Sequence, residues 1–531
     1  MERPQKLTLQ LGALTARVDA ALNDLARDGV IGRLWAGDYT LWSDDPTEIT
    51  EPNRLGWLEV AESMRAEVDG LNRFAAEVAA EGYRHAVLFG MGGSSLAPEV
   101  MQRTFGTKPG MLQLEVLDST HPDAVLDLQR RLDLDRTLFI ISSKSGSTLE
   151  TLSQFEYFWD LTPRGKHFVA VTDEGSILQK LGAERGFRRV FINRPDIGGR
   201  YSALSFFGLV PGALIGADLD EMLSQARAMA DACRDEDPRA NPGALLGAAM
   251  GEAALAGRDK LTLLLPNELS SLGDWVEQLL AESTGKAGKG IVPIVGEPAG
   301  PPSSYGDDRL FVAIGEHSDL AGLEAAEQPV VRLPFAGKRQ LGAEFFRWEF
   351  ATAVAGQRLG INPFDQPNVQ SAKDATSRIL EAGTTEPEET PSLNQMLTTV
   401  GAGDYIAVLA YLPRTHAIET PLQALRLDLR DRHLVATTLS FGPRYLHSTG
   451  QLHKGGANNG VFVLLTNDPR EDAAIPGRPF SFGRLHRAQA LGDLQSLLSM
   501  GRRVAHVHLP DDPIGAIEAL RSGFEDPKEV L

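Results

Sequence analysis

Residues 143–151 read Ser-Lys-Ser-Gly-Ser-Thr-Leu-Glu-Thr, which sets five hydroxyl side chains and one lysine directly behind the apolar run 137–141. Small hydroxyl residues let the backbone bend close to an anion and offer both O–H and N–H donors. A helix starting near Thr148 adds the positive end of its dipole. Ser143, Lys144, Ser145 and Thr148 thus have the chemistry of a cradle for a phosphate ester. The same residues also suit a plain Ser/Thr-rich turn before a capped helix, so the choice between the two rests on the remainder of the chain.

A second turn, Gly-Met-Gly-Gly-Ser-Ser-Leu-Ala-Pro at 90–98, follows the apolar run 86–89. It sits where a strand hands over to a helix, the edge at which open α/β sheets bind ligands. Ser95 stands where a dinucleotide fingerprint needs its third glycine, and no Gly-Lys-Ser/Thr phosphate loop occurs there, so nucleotide binding is set aside. Three further segments carry chemistry-bearing groups: Gly-Gly-Arg-Tyr-Ser at 198–202, Ala-Glu-Ser-Thr-Gly-Lys at 281–286, and Asn-Pro-Phe-Asp-Gln-Pro-Asn-Val-Gln-Ser-Ala-Lys at 362–373. Taken singly, Arg200 fits a structural ion pair, Glu282 and Gln278 a solvated helix face, and Lys373 a surface charge.

In this order the five segments resemble the signatures of the glucose-6-phosphate isomerase family, whose two sugar-isomerase (SIS) domains hold a sugar phosphate between them. The resemblance runs from about Leu55 to Lys373. The Phe-Asp-Gln-Pro-Asn-Val form and the long tail look most similar to the isomerase half of bifunctional transaldolase/glucose-6-phosphate isomerases, with no transaldolase portion evident. Matched position by position, the resemblance implies that Ser143, Lys144, Ser145 and Thr148 grip the phosphate while Gly92, Gly93 and Ser94 line the sugar side. Glu150 is implied to help organise the site, though at a helix start it equally fits a dipole-favoured surface acid. Glu282 matches the family's base, Gln278 a substrate contact one helical turn earlier, Arg200 the arginine that stabilises the enediolate, and Lys373 a lysine of ring opening. Asn368 and Gln370 depart from the commoner family pattern of Gly and Glu.

The family places its ring-opening histidine between the base and the lysine, yet the histidine found there, His317, lies in a context that reads as a surface turn. The segment Gly-Pro-Arg-Tyr-Leu-His-Ser-Thr-Gly-Gln at 442–451 resembles the histidine segment of bacterial members and assigns the step to His447. A His447/His453 pair invites a metal, but no carboxylate or thiolate at ligand spacing completes a set, so neither metal nor cofactor is expected. One carboxylate on one face of a cis-enediol can move a proton between C2 and C1 unaided. The implied activity is interconversion of glucose 6-phosphate and fructose 6-phosphate. The alternatives are the same chemistry on another 6-anionic hexose, such as a sulfonated sugar, and a SIS-type regulator that binds sugar phosphate without turning it over.

The elements that must position these groups follow from the apolar pattern. The chain has 531 residues, 42% of them hydrophobic, enough for two to four packed domains. Amphipathic spacing over 11–25 and 55–80 predicts a helical N-terminal segment, taken as 1–75. Strands at 86–89, 112–117, 138–141, 168–171 and 190–192 predict a first parallel, doubly wound α/β unit (76–215), which the resemblance implies is a flavodoxin-like SIS domain. Strands at 261–265, 291–295, 310–314 and 330–333 predict a second (216–381). A Thr/Glu/Pro-rich linker (382–401) leads to an additional α/β unit (402–531), with strands at 405–412, 434–439, 461–465 and 504–509 and helices at 421–432 and 485–500.

Cys233, the single cysteine, cannot form an internal disulfide. A formal charge of −19, spread without blocks, speaks against nucleic acid and anionic membranes as partners. No apolar run approaches the roughly 20 residues of a membrane span, and residues 1–6 lack the marks of a secretory signal, which gives a cytoplasmic expectation. The expected partner is a small sugar phosphate, in a monomer or homodimer, with association with a separate transaldolase conceivable for the last unit.

Overall fold

The computed structural model describes residues 6–45, 54–383 and 387–523. Its strands are β1 (Thr8–Gln10), β2 (His85–Phe89), β3 (Gln113–Leu117), β4 (Thr137–Ser142), β5 (Phe168–Asp173), β6 (Arg189–Asn193), β7 (Lys260–Leu264), β8 (Val292–Ile294), β9 (Arg309–Ile314), β10 (Val330–Leu333), β11 (Tyr405–Tyr411), β12 (Ala436–Phe441), β13 (Gly460–Asn467) and β14 (Arg503–Leu509). They form three sheets, ordered β3-β2-β4-β5-β6, β1-β10-β9-β7-β8 and β12-β11-β13-β14. All pairings are parallel except β1 with β10. Every residue of β4, β7, β9 and β11 is buried, which is why these strands read as unbroken apolar runs: helices cover both faces of a parallel sheet.

The N-terminal segment departs from the helical expectation at its start. Leu7 and Leu11 are buried while Thr8 and Gln10 are exposed, a period-two pattern, and β1 pairs antiparallel along the free edge of β10, with Leu9 opposite Val331. Covering an edge strand removes unpaired backbone groups from the sheet boundary. The helix that follows, Thr15–Arg27, buries Val18, Ala21, Leu22 and Leu25 against helix Pro242–Leu255, as its 3.6-residue pattern requires. The expected helix over 55–80 is broken into short 3₁₀ and α turns before Val68–Ala80.

Two other boundaries moved. The rear of the expected linker is helix Leu393–Leu397, opened by a capping box of Ser392 and Gln395, and it buries Leu393, Met396 and Leu397. Residues 384–386 of that linker lie outside the described residues. The helix expected from Pro421 begins a turn and a half earlier, at His416, because Thr415 accepts from Ile418 N as its N-cap. Pro421 sits in the second turn rather than the first.

The first two sheets share one continuous core. Helix Leu341–Leu359, buried almost throughout, packs on Pro242–Leu255 and Leu219–Ala232. In the first sheet the chain leaves β2 toward β3 on one side and β4 on the other. The turns after β2 and β4 therefore flank the topological switch point, where an open sheet offers a crevice. Among the described residues no helix is long and apolar enough to cross a membrane.

Candidate active site

A cleft of about 800 Å³ opens at that switch point. It is walled by the turns after β2, β4 and β5, the loop before Tyr201, the helix Leu272–Thr284, the loop at 364–369 and the segment carrying His447. Lys144, Ser145, Thr148, Gly92, Gly93, Ser94, Arg200, Gln278, Glu282, Lys373 and His447 all line it; Ser143 and Glu150 do not.

The turn after β4 is built from the inside out. Ser142 Oγ donates to Ser94 O at 2.9 Å, tying it to the turn after β2. Ser143 was expected on the phosphate itself, but it is buried. Its Oγ lies 2.9 Å from Thr148 Oγ1 and accepts from Gly146 N at 3.1 Å, so it props the turn from below. Gly146, at φ +67°, permits the reversal that exposes Ser145 and Thr148. Lys144 is also not a free cation: its ammonium is ion-paired with Asp173 at the end of β5 and donates to Pro195 O at 3.1 Å. Burial lowers the lysine and raises the aspartate, each partly offset by the other. Arg54, which sequence reading missed, lines the same pocket beside Asp173, and Ser176 caps a second helix, Ile177–Glu184, on its rim.

Another wall of the cleft is assembled on helix Leu272–Thr284. Gln278 and Glu282 share a face, and Gln278 Nε2 donates to Glu282 Oε2 at 3.0 Å and to His447 O at 2.8 Å. Arg200 is buried and donates to Ser283 Oγ (2.7 Å), Gln366 Oε1 (2.9 Å), Pro363 O (2.7 Å) and Asp365 O (2.8 Å). These use four of a guanidinium's five N–H groups, and Nη1 also stands 3.5 Å from Glu282 Oε1. Lys286, which closes the 281–286 segment but had no role assigned to it, is held by Asn362 O, Asp365 O and Asp365 Oδ1 at 2.5–2.7 Å and so fixes the loop that holds Arg200. Burial, with Arg200 nearby, lowers Lys286 to about 8.

His447 enters from the third unit of the same chain, on the 3₁₀ turn Arg444–His447 after β12. Its Nε2 lies 2.9 Å from Glu150 Oε1. Glu150 is only 6% exposed, which excludes the surface-acid reading; it stands behind the histidine instead of on the substrate wall. Burial would raise its carboxyl, but the charge and hydrogen bond of His447 overcome this and hold it below the ordinary carboxylate range. Lys373, in the first turn of helix Gln370–Ala382, projects exposed into the cleft. His317 bonds Ile314 O outside the cleft, and His453 is buried against the rings of Tyr445 and Phe462, far below its usual pKa through burial. Among the described residues no three His, Cys, Asp or Glu side chains converge as a metal site.

The glycines after β2 serve close packing. Gly92 has φ +55°, and a Cβ there would lie 2.6 Å from His447 O; one on Gly93 would lie 2.0 Å from Gly199 O. Gly93→Ala must push the Arg200 loop away, so turnover should fall about 10²-fold while the fold persists, since displacements near 1 Å cost that much. Steady-state kinetics beside circular dichroism checks this. Arg444 secures the opposite wall, contacting Glu99 (2.6 Å) and Asp118 (2.8 Å) of the first unit and Asp274 (3.1 Å) of the second. Arg444→Met strands buried carboxylates and should cost about 3–5 kcal/mol, read as a lowered urea midpoint.

Residues 62–296 match the family described as phosphoglucose isomerase. A probable glucose-6-phosphate isomerase of Methanococcus maripaludis is 26% identical over 385 residues, covering 63% of this chain and 86% of its own length. The glucose-6-phosphate isomerase of Acaryochloris marina is 29% identical over 401 residues, 66% of this chain and 74% of that one. Among solved structures, a hypothetical protein of Thermus thermophilus aligns with a TM-score of 0.59 at 26% identity, over 70% of this chain and 99% of its own. A glucose-6-phosphate isomerase of Chlamydia trachomatis shares the fold at a TM-score of 0.54 and 24% identity, over 62% and 75% of the two chains. The turns after β2 and β4, Arg200, Gln278 and Glu282 all fall inside the span 62–296 that matches the phosphoglucose isomerase family.

Proposed function

We propose that this protein is a cofactor-free ketol isomerase that interconverts glucose 6-phosphate and fructose 6-phosphate through a cis-enediol(ate). The observation that carries the reading is that one cleft of one chain gathers the hydroxyl turn, Glu282, Arg200, Lys373 and His447. Ser145, Thr148 and the N-terminus of helix Leu149–Leu161 receive the phosphate. Glu150, an ionised acceptor, takes the Nε2–H of His447, which leaves Nδ1 as the ring nitrogen available to the substrate. His447 and Lys373 together open the ring, one supplying a proton to the sugar's ring oxygen and the other accepting the proton of O1.

Glu282 then removes the C2 proton and returns it to C1, while the hydroxyl proton passes from O2 to O1, so the two isomers differ only in where two protons sit. Gln278 donates to one carboxylate oxygen of Glu282 and leaves the other for the carbon acid. Arg200 lends positive charge to the enediolate without giving up a proton. Because His447 comes from the same chain, a single chain is sufficient for turnover, whether the protein is a monomer or a homodimer in solution.

The test is a coupled assay of the purified chain with fructose 6-phosphate. Glu282→Gln should lower kcat about 10²–10⁴-fold, the span of one acid/base group, with phosphate binding retained. Activity equal to the parent's removes the proposed base. Preference for the sulfonate isostere of the sugar phosphate would move the reading to that substrate, and binding without any turnover would make the chain a sugar-phosphate sensor.

A further inference from the structure

The carboxylate behind His447 is itself held from an unexpected direction. Gln489, on helix Phe482–Ser499 of the third unit, donates Nε2–H to Glu150 Oε1 at 2.8 Å. Its Oε1 accepts from Thr120 Oγ1 at 2.6 Å, and Thr120 Oγ1 lies 3.0 Å from His486 Nδ1. Thr120, Gln489, His486 and Glu150 are at most 6% exposed. In such a setting the direction of every bond is forced. A carboxylate only accepts, so Gln489 must turn its NH₂ toward Glu150 and its carbonyl toward Thr120. The single hydroxyl proton of Thr120 then goes to Gln489, so His486 must donate Nδ1–H to Thr120. Tyr411 Oη donates to Gln489 O at 3.3 Å, holding the helix backbone at the same point.

We propose that Gln489, oriented by Thr120 and His486, is a positioning residue that fixes Glu150 and, through it, the Nε2–H tautomer of His447, so that helix Phe482–Ser499 completes the site. The inference rests on the isomerase reading for its kinetic consequences but not for its geometry. It gives the third unit two roles, since its turn after β12 delivers the histidine and its long helix sets which nitrogen of that histidine carries the proton. Without Gln489 the carboxylate could rotate about its terminal bond, and His447 would be free to present either nitrogen.

The charged and titratable groups around Glu150 are few. His447 and Lys373 both favour its ionised form. Tyr411 is kept neutral by burial, and burial likewise lowers His486 and His121, leaving them uncharged. A donor to a carboxylate stabilises the anion. Removing it moves Glu150 toward protonation at higher pH, and the acidic limb of the rate profile should follow it upward.

Gln489→Leu should lower kcat about 10- to 100-fold, the worth of one hydrogen bond to a charged group, with KM within about twofold and the acidic limb displaced to higher pH. Gln489→Glu, isosteric and so tolerant of folding, should lose more because two carboxyl groups then compete for one space. Thr120→Val should follow Gln489→Leu, and Thr120→Ser should match the parent. Long-range proton–nitrogen spectra of histidine-labelled protein, with His447 assigned through His447→Gln, give a readout independent of turnover. The parent should show one Nε2–H tautomer and the Gln489 and Thr120→Val variants a mixture. An unchanged tautomer and unchanged pH profile in Gln489→Leu or Thr120→Val, with any loss tracking melting temperature alone, overturns the proposal. An inactive parent with the tautomer shift intact would instead overturn only the isomerase reading.

Discussion

Everything at the cleft depends on burying one positive charge where three units meet. Arg444 reaches into the junction with 12% of its side chain exposed and touches carboxylates from two units other than its own. Taking ions out of water costs several kcal/mol each, and only well-placed partners offset it. The turn carrying His447 is therefore positioned only when Glu99, Asp118 and Asp274 have all been brought together. The two acids of the first unit respond in opposite senses. Burial pushes Glu99 up, but Arg444, Arg414 and Arg103 overcome this and bring it to about 2. Burial raises Asp118, and Arg444 and Arg414 do not cancel it because Glu99 and Asp274 add like charge. On acidification Asp118 thus takes a proton before Glu99, and the Arg444 clamp begins to loosen from its first-unit side.

The sheets were readable because parallel strands buried on both faces leave apolar runs in the chain, as β4 and β11 show. The hydroxyl turn after β4 was readable because its residue types, spacing and position behind a strand all point to an anion. What lay beyond the sequence was direction. Ser143 and Thr148 belong to one motif, yet one faces down and the other into the cleft, since their hydroxyls bond to each other. Glu150 is indistinguishable from a helix-cap acid until the chain returns 297 residues later with His447. Arg54, Thr120 and Gln489 carry no local pattern, and only the folded arrangement gives them a purpose. Strand β1 was legible in principle, in the alternation of Leu7, Leu9 and Leu11, but three residues are too few to outweigh the helix beside them.

The glycine-rich turn teaches a similar lesson. Its glycines suggested a backbone approached by ligand, but Gly92 and Gly93 are approached by protein: the carbonyls of His447 and Gly199 occupy the space a Cβ would need. Gly92 lets the turn sit against the backbone of the third unit, and Gly93 lets it sit against the Arg200 loop of its own unit. The motif thereby records an assembly requirement as much as a binding one, and sequence alone cannot separate the two.

At the hydroxyl turn, the phosphate site of the proposed reaction, opposite charges partly cancel. Lys144 and Arg54 bring two positive charges, and Asp173, paired to Lys144, removes one of them. Two helix N-termini and exposed hydroxyls supply the remainder as dipoles, which weaken steeply with distance and are worth most when the anion is fully seated. A stronger cradle would bind aldose, ketose and enediolate alike, and such uniform binding lowers KM without raising the chemical rate. In the proposed reaction the phosphate is held at one end by modest forces and discrimination falls to the other, where Arg200 has a single N–H left over from its structural bonds. That donor lies on the Glu282 side of the guanidinium, so in the proposed reaction the charge that develops during proton transfer would meet a preorganised partner that need not reorganise to receive it.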